Sequence, residues 1–344
     1  MSPLNVGVIG LGVGEQHLIG LEAHEDCRVV GISDIDEVKL EEVGARHSEV
    51  PRFASPEALI ESEELDMVVI ASYDDAHYDQ VVRAVCAGKH VFVEKPLCTQ
   101  LPELVRIGEC LDEHPGVRLS TNTVLRKSPR FRELHASIRA GDLGRIYYLE
   151  ADYNYGRLEK LTNGWRGRSP GYSVMLGGGV HMVDLALWLT DARAEECYAI
   201  GNRICSEGTS YDGNDMVLAN IRMEDETIVK VSANFGCVYP HFHRVSVYGT
   251  DGTFVNGMDF ARRYKSRNRA IPPDEITSPY PGVPKHALLP SFVDAVLGRG
   301  RAEIEERDVF ETMRVCFAIE KSLSEGRPVK MREIPGGREV EKDE

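Results

Sequence analysis

Short apolar runs alternate with segments of helical spacing along the first third of the chain. Residues 4–9 (LNVGVI) form an apolar run that ends in glycines, and EQHLIGLEAH (15–24) carries Leu18 and Leu21 at helical spacing. CRVVGISD (27–34) reads as a buried strand and is followed by a polar helix from Glu37 towards His47. The pattern then repeats: LDMVVIAS (65–72) as strand, His77 to Ala87 as helix, KHVFVE (89–94) as strand, a helix around 100–112, and VRLSTN (117–122) as strand. Such alternation predicts parallel strands joined by right-handed helical crossovers, a doubly wound α/β domain.

The texture changes near residue 121. A helix is expected around 128–140, then extended stretches near 145–156, 195–204, 215–223, 227–237 and 243–256. Short turns such as Glu224-Asp225 and Gly249-Thr250-Asp251-Gly252 predict antiparallel pairing there, with late helices near 286–298 and 305–325 covering part of the sheet. No internal repeat is evident, and the tail from Pro335 (PGGREVEKDE) reads as frayed. The expected organisation is a Rossmann domain over 1–121 and an α+β domain over 122–344.

A length of 344 residues suits two domains, and 42% hydrophobic with 28% charged residues is the balance of a globular chain. The net charge of -15 argues against attraction to nucleic acid or to an anionic membrane and directs attention to small molecules. The basic stretch from Arg262 to Arg269 reads as a solvated loop. Eight scattered cysteines without a CxxC pair read as reduced thiols, no apolar run spans a bilayer, and no export signal precedes the first strand, so a cytoplasmic location is expected.

The first strand runs into Gly10-Leu11-Gly12-Val13-Gly14, where absent side chains permit a tight turn and close approach of backbone to a pyrophosphate. The third glycine of a GxGxxG fingerprint is expected at position 15, which is Glu15; Gly14 comes one residue early. Asp34, 24 residues after Gly10 at the end of the second strand, suits the hydroxyls of an adenosine ribose, or alternatively caps the next helix. Asp34, Asp36 and Glu37 crowd negative charge where the 2'-phosphate of NADP would lie, so NAD is expected over NADP.

Ala87-Gly88-Lys89-His90-Val91, followed by Glu94-Lys95-Pro96, resembles the Gfo/Idh/MocA oxidoreductases. The likeness extends from the IGLG turn through His77 to GGGVHMVDLALWL (177–189) and VSVYGTDGTF (245–254). This resemblance implies an N-terminal Rossmann domain, a C-terminal α+β domain with an open, mostly antiparallel sheet, and assembly as a homodimer or homotetramer. It also implies sugar, polyol or nucleotide-sugar substrates, with Ser72, His77, Glu94 and Lys95 near the cofactor. The stretch SANFGCVYPHFHR (232–244) is similar to family members of surface-polysaccharide metabolism, which makes a nucleotide-linked sugar the leading expectation.

Oxidising a secondary alcohol requires a base for the hydroxyl proton while the hydride leaves for nicotinamide. The resemblance assigns this work to Lys95 and His181, whose bland alternatives are an ion pair and a satisfied structural imidazole. Burial beside an apolar ring would bring a lysine towards the neutral amine that a base requires. Many family members carry Asp four residues before the histidine, and this chain has Gly177 there. Either Lys95 and His181 suffice, or Asp184 or Tyr172 contributes, or the reaction is a redox-neutral sugar conversion with tightly held NAD; a nonenzymatic sensor is a further alternative. Substrate contacts are expected from Asn122, Arg126, Tyr155, Trp165, Arg166, Tyr172 and Asp184, and no metal is expected, since His241 and His243 lack nearby Cys or Asp.

Overall fold

The computed structural model describes residues 3–169 and 171–337, so part of the expected frayed tail, residues 338–344, lies outside the described residues. The chain divides into two compact units. One gathers the chain up to Val124 together with 284–310 and 336–337; the other holds 125–283 and 311–335.

In the first unit β1 (Leu4–Ile9), α1 (Gly14–Glu22), β2 (Cys27–Ser33), α2 (Glu37–Arg46), α3 (Pro56–Ile60), β3 (Met67–Ile70), α4 (His77–Cys86), β4 (His90–Val93), α5 (Leu101–Glu113) and β5 (Leu119–Thr121) follow one another. They build a five-stranded parallel sheet in the order β2-β1-β3-β4-β5. Its central strand β3 (MVVI) is apolar without interruption and every residue of it is buried, as expected of a parallel sheet with helices on both faces. Beyond β2 a further strand survives as a single parallel bridge between Ile32 and Arg52. The sequence pattern missed this bridge and α3, which is capped by Ser55 and too short to show periodicity.

The second unit follows with α6 (Pro129–Arg139), β6 (Ile146–Asn154), α7 (Leu158–Thr162), α8 (Val180–Thr190), β7 (Ala194–Asn202), β8 (Met216–Met223), β9 (Ile228–Asn234), β10 (Phe242–Gly249), β11 (Thr253–Val255), β12 (Ala261–Tyr264) and β13 (Asp274–Ile276). After α9 (Leu289–Val296) and α10 (Glu306–Glu325) comes β14 (Val329–Lys330). The nine-stranded sheet runs β13-β12-β11-β10-β6-β9-β8-β7-β14 and is antiparallel except where β6 pairs with β9. The expected α/β and α+β architecture is present. The helix expected to cover this sheet near 286–298 instead belongs to the first unit, where Phe292 of α9 meets Phe92 of β4 with ring centroids 5.7 Å apart.

The turn after β1 is set by space as well as by conformation. Gly10 has φ of +80°, and a Cβ there would stand 2.5 Å from the Ala71 carbonyl oxygen. Gly14 opens α1, and its missing side chain lets that helix approach Val8 and Ala71. The helix–strand contact expected of a third glycine at position 15 is thus made by Gly14, and Glu15 turns outward to an ion pair with Arg46 at 2.8 Å. Gly10→Ala is expected to lower unfolding free energy by about 2 kcal/mol or more, read from the urea midpoint; an unchanged midpoint would contradict this steric account.

Candidate functional site

The turn after β1 and the ends of β2, β3 and β4 form one candidate surface, at the carboxyl edge of the parallel sheet where open α/β domains bind ligands. Asp34 closes it on one side. It is 8% exposed; its Oδ2 accepts the Leu11 N–H at 2.6 Å and its Oδ1 the Asp36 N–H at 2.8 Å. The helix cap considered for Asp34 is supplied by Asp36, which accepts from the Val38 and Lys39 amides. Each Asp34 oxygen has a second lone pair with which to accept a hydroxyl. A Cβ on Gly12 would meet no atom of the described residues within 4 Å, so the space beside that peptide is open among them. Among the described residues no side chain caps the start of α1, a helix end whose orientation suits an anion.

Ser72 and His77 stand on the loop after β3 and at the start of α4. His77 is fully buried, with Nδ1 2.6 Å from the Pro96 carbonyl and Nε2 3.2 Å from that of Ser72. The ring therefore binds the peptide just after Lys95 to the neighbouring loop, while the Ser72 hydroxyl donates to Gln80 at 2.7 Å. Both residues shape this edge through protein contacts.

Glu94 lies immediately past β4. Its Oε1 accepts from His17 Nε2 at 2.9 Å and from Asn122 Nδ2 at 2.7 Å; the same Asn122 amide donates to the Lys285 carbonyl at 3.1 Å. Burial alone would raise the Glu94 pKa, but the His17 hydrogen bond and charge, the Lys95 charge and the Asn122 amide together hold it at about 2. Lys95 follows it, half-buried. The amide oxygen of Asn122 is buried and receives no donor among the described residues. His17 escaped the sequence reading, although Gly14, His17, Leu18 and Leu21 are the buried positions of α1 and share the helical spacing that was visible.

In the second unit His181 lies in the first turn of α8, 8% exposed, stacked on Tyr153 of β6 with centroids 6.1 Å apart. Tyr153 pairs in register with His243 of β10, and the His181 and His243 rings lie 6.4 Å apart. The Tyr280 hydroxyl accepts the main-chain N–H of His243 at 2.8 Å and lies 2.6 Å from its Nδ1. Tyr155, Phe235 and His241 extend this aromatic group. Neither Tyr153 nor Tyr280 is legible as a site residue from sequence, because strand alternation marks a face without saying which loop closes over it. Among the described residues no cluster of His, Cys, Asp and Glu is arranged to hold a metal.

The remaining expected substrate contacts separate into two groups. Arg126 and Asp184 bind each other: Nε to Oδ2 at 3.0 Å and Nη2 to Oδ1 at 2.6 Å, with side chains 6% and 1% exposed. This bidentate pair engages the two charged groups with each other. Trp165, Arg166 and Tyr172 form a second group, in which Arg166 Nε donates to the Tyr172 hydroxyl at 3.1 Å and the guanidinium lies 4.7 Å from the Trp165 ring centre.

A doubly wound parallel sheet with a glycine turn after β1 and a carboxylate just past β2 has the features of a dinucleotide-binding domain. Residues 4–123 match the family model described as "Oxidoreductase family, NAD-binding Rossmann fold", and 131–255 match the "GFO/IDH/MocA C-terminal domain". The chain belongs to the Gfo/Idh/MocA oxidoreductases. It is 24% identical to the myo-inositol 2-dehydrogenase of Thermotoga maritima over 97% of this chain and 100% of that one. It is 25% identical to the 1,5-anhydro-D-fructose reductase of Ensifer adhaerens over 80% and 83% of the two chains. Among solved structures, levoglucosan dehydrogenase in complex with NADH and L-sorbose superposes with a TM-score of 0.86 at 19% identity, covering 97% of this chain and 100% of that one. The myo-inositol 2-dehydrogenase of Lactobacillus plantarum does so at 0.82 and 19%, covering 96% and 99%. Among the described residues, no helix is long and apolar enough to cross a membrane.

The depressed Glu94 pKa has a consequence for stability. With the folded value near 2 and the ordinary value 4.5, the ionised form favours the native state, on the order of 3 kcal/mol above pH 4.5, lost as the pH falls through about 2. The advantage of the wild type over Glu94→Gln in urea unfolding is expected to narrow from about pH 6 to about pH 3. A gap that stays constant over that range would show that the charge carries no stability.

Proposed function

We propose that this protein is an NAD-dependent dehydrogenase that oxidises a secondary hydroxyl of a cyclic polyol or sugar. The observation that carries this reading is the carboxyl edge of the parallel sheet, where the open space beside Gly12 and the carboxylate of Asp34 lie along the edge that also carries Lys95. The relatives add support, since their names speak of inositols, anhydrofructose and levoglucosan. Nucleotide-linked sugars, the leading expectation from sequence, find no support among those relatives and stay in the proposal only as a member of the test panel.

Gly10, Leu11, Gly12, Val13 and Gly14 would hold the pyrophosphate and Asp34 the adenosine ribose, with Ser72, His77, Glu94 and Lys95 at or behind the nicotinamide end. A dinucleotide held there would supply the acceptor for the substrate hydride. Lys95 and His181 share the removal of the hydroxyl proton, and Glu94 stays ionised behind Lys95 without needing a proton of its own. Asn122 offers its buried amide oxygen to a ligand hydroxyl. Arg126 and Asp184 keep α8 in place through their mutual ion pair, and Tyr155 with its aromatic neighbours offers an apolar face to a sugar ring.

NADH formation measured on inositols, free sugars and nucleotide-linked sugars tests the reading; no turnover on any class with NAD or NADP would refute it. Lys95→Ala and His181→Ala are each expected to lower kcat by about 100-fold or more while NAD affinity stays within a few-fold. A variant with unchanged kcat removes its residue from the mechanism. Because Asp34, Asp36 and Glu37 concentrate negative charge at the end of β2, NADP is expected to bind about tenfold or more weakly than NAD in a fluorescence titration. Equal affinities would overturn the charge argument.

A further inference from the structure

We propose that Tyr172 places a hydroxyl group beside His181, in the volume that a side chain at position 177 would otherwise fill, and that this hydroxyl donates a hydrogen bond to a substrate oxygen. The proposal rests on the dehydrogenase reading and names the residue that takes up the space left by Gly177.

Gly177 lies in a π-helical turn, Met175–Gly179, that leads directly into α8. It is not among the glycines with positive φ, so its backbone conformation admits any residue. What excludes a side chain is space: a Cβ there would stand 1.8 Å from the Tyr172 hydroxyl oxygen and 2.5 Å from Cζ. The phenol is thus seated on the helix at residue 177. His181 follows four residues later, and residues four apart share a helix face.

The phenol is also fixed from behind. Tyr172 is 8% exposed, and its carbonyl accepts the hydroxyl of Tyr211, itself 2% exposed, at 3.0 Å. The Trp165 ring meets Tyr172 edge-on at 5.8 Å and 86°. Arg166, lying over that indole, donates its Nε–H to the phenol oxygen at 3.1 Å. A cation on the oxygen draws electron density from it and makes the O–H a stronger donor. Such a group favours an oxygen acceptor, as a polyol or its ketone provides, over a cationic ligand. The turn that carries Gly177 is held in its own right: the Ser173 hydroxyl donates to Glu320 and accepts from the Met175 and Leu176 amides.

Tyr172→Phe keeps the ring and loses the hydroxyl. It is expected to lower kcat/KM for the polyol about tenfold or more, with KM for NAD within about twofold and an unchanged melting midpoint. Gly177→Ala keeps the hydroxyl but displaces it, and the same loss is expected. In a Tyr172→Ala background Gly177→Ala is expected to cost less than about a further twofold, because the ring that it would strike is gone. A Tyr172→Phe enzyme within twofold of the wild type overturns the proposal and leaves the dehydrogenase reading standing, as does a full additional loss from Gly177→Ala in the Tyr172→Ala background. A wild-type protein without NAD-linked or NADP-linked turnover overturns the reading and the proposal with it.

Discussion

A carboxylate withdrawn from water must be met by donors or it takes up a proton, and in the first unit that demand falls on Glu94. The donors come from distant parts of the chain: His17 from the helix after β1 and Asn122 from just past β5, with the Asn122 amide also tied to the carbonyl of Lys285. One buried charge therefore joins the first crossover helix, two strand ends and a segment from near the chain's end. The segment between Glu94 and Pro96 is fixed from its other side by His77, so that Lys95 leaves the sheet from a backbone secured on two sides.

The second unit solves a related problem with a full ion pair. Arg126 and Asp184 neutralise each other away from solvent, an arrangement that breaks expensively when one partner is removed because the other charge is left buried. Asp184 stands one turn beyond His181, so this pair governs the placement of the helix that carries the histidine. Tyr153 stacks on that imidazole and packs in turn on His243, which meets Tyr280.

The parallel sheet was legible from sequence because its strands are continuous apolar runs punctuated by glycine, and each expected strand from Leu4 to Thr121 is present within a few residues. Features without periodicity were not legible: α3, the single bridge at Ile32 and Arg52, and the π-helical turn at Met175–Gly179 are each too short to leave a pattern. At the site, Asp34 and the glycine turn were visible because they follow a strand at fixed offsets. His17 and Tyr280 were not, since their significance comes from partners far away in the chain. Gly177 is the instructive intermediate case. Its departure from the family pattern could be read at once, whereas the reason for it, a phenol ring already occupying the space, depends on how a loop folds back.

The first unit is also interrupted in the chain: it is left at Val124 and completed only by residues 284–310 and the described residues after Pro335. Ser120 donates to the Ile304 carbonyl at 2.8 Å, and Phe310 packs beside Gly108, so the late segment supplies hydrogen bonds and core to strands made much earlier. During synthesis the parallel sheet must therefore wait for most of the polypeptide to leave the ribosome before its last helix can dock. A gene fragment stopping near residue 124 would yield a nucleotide-binding module stripped of part of its own interior.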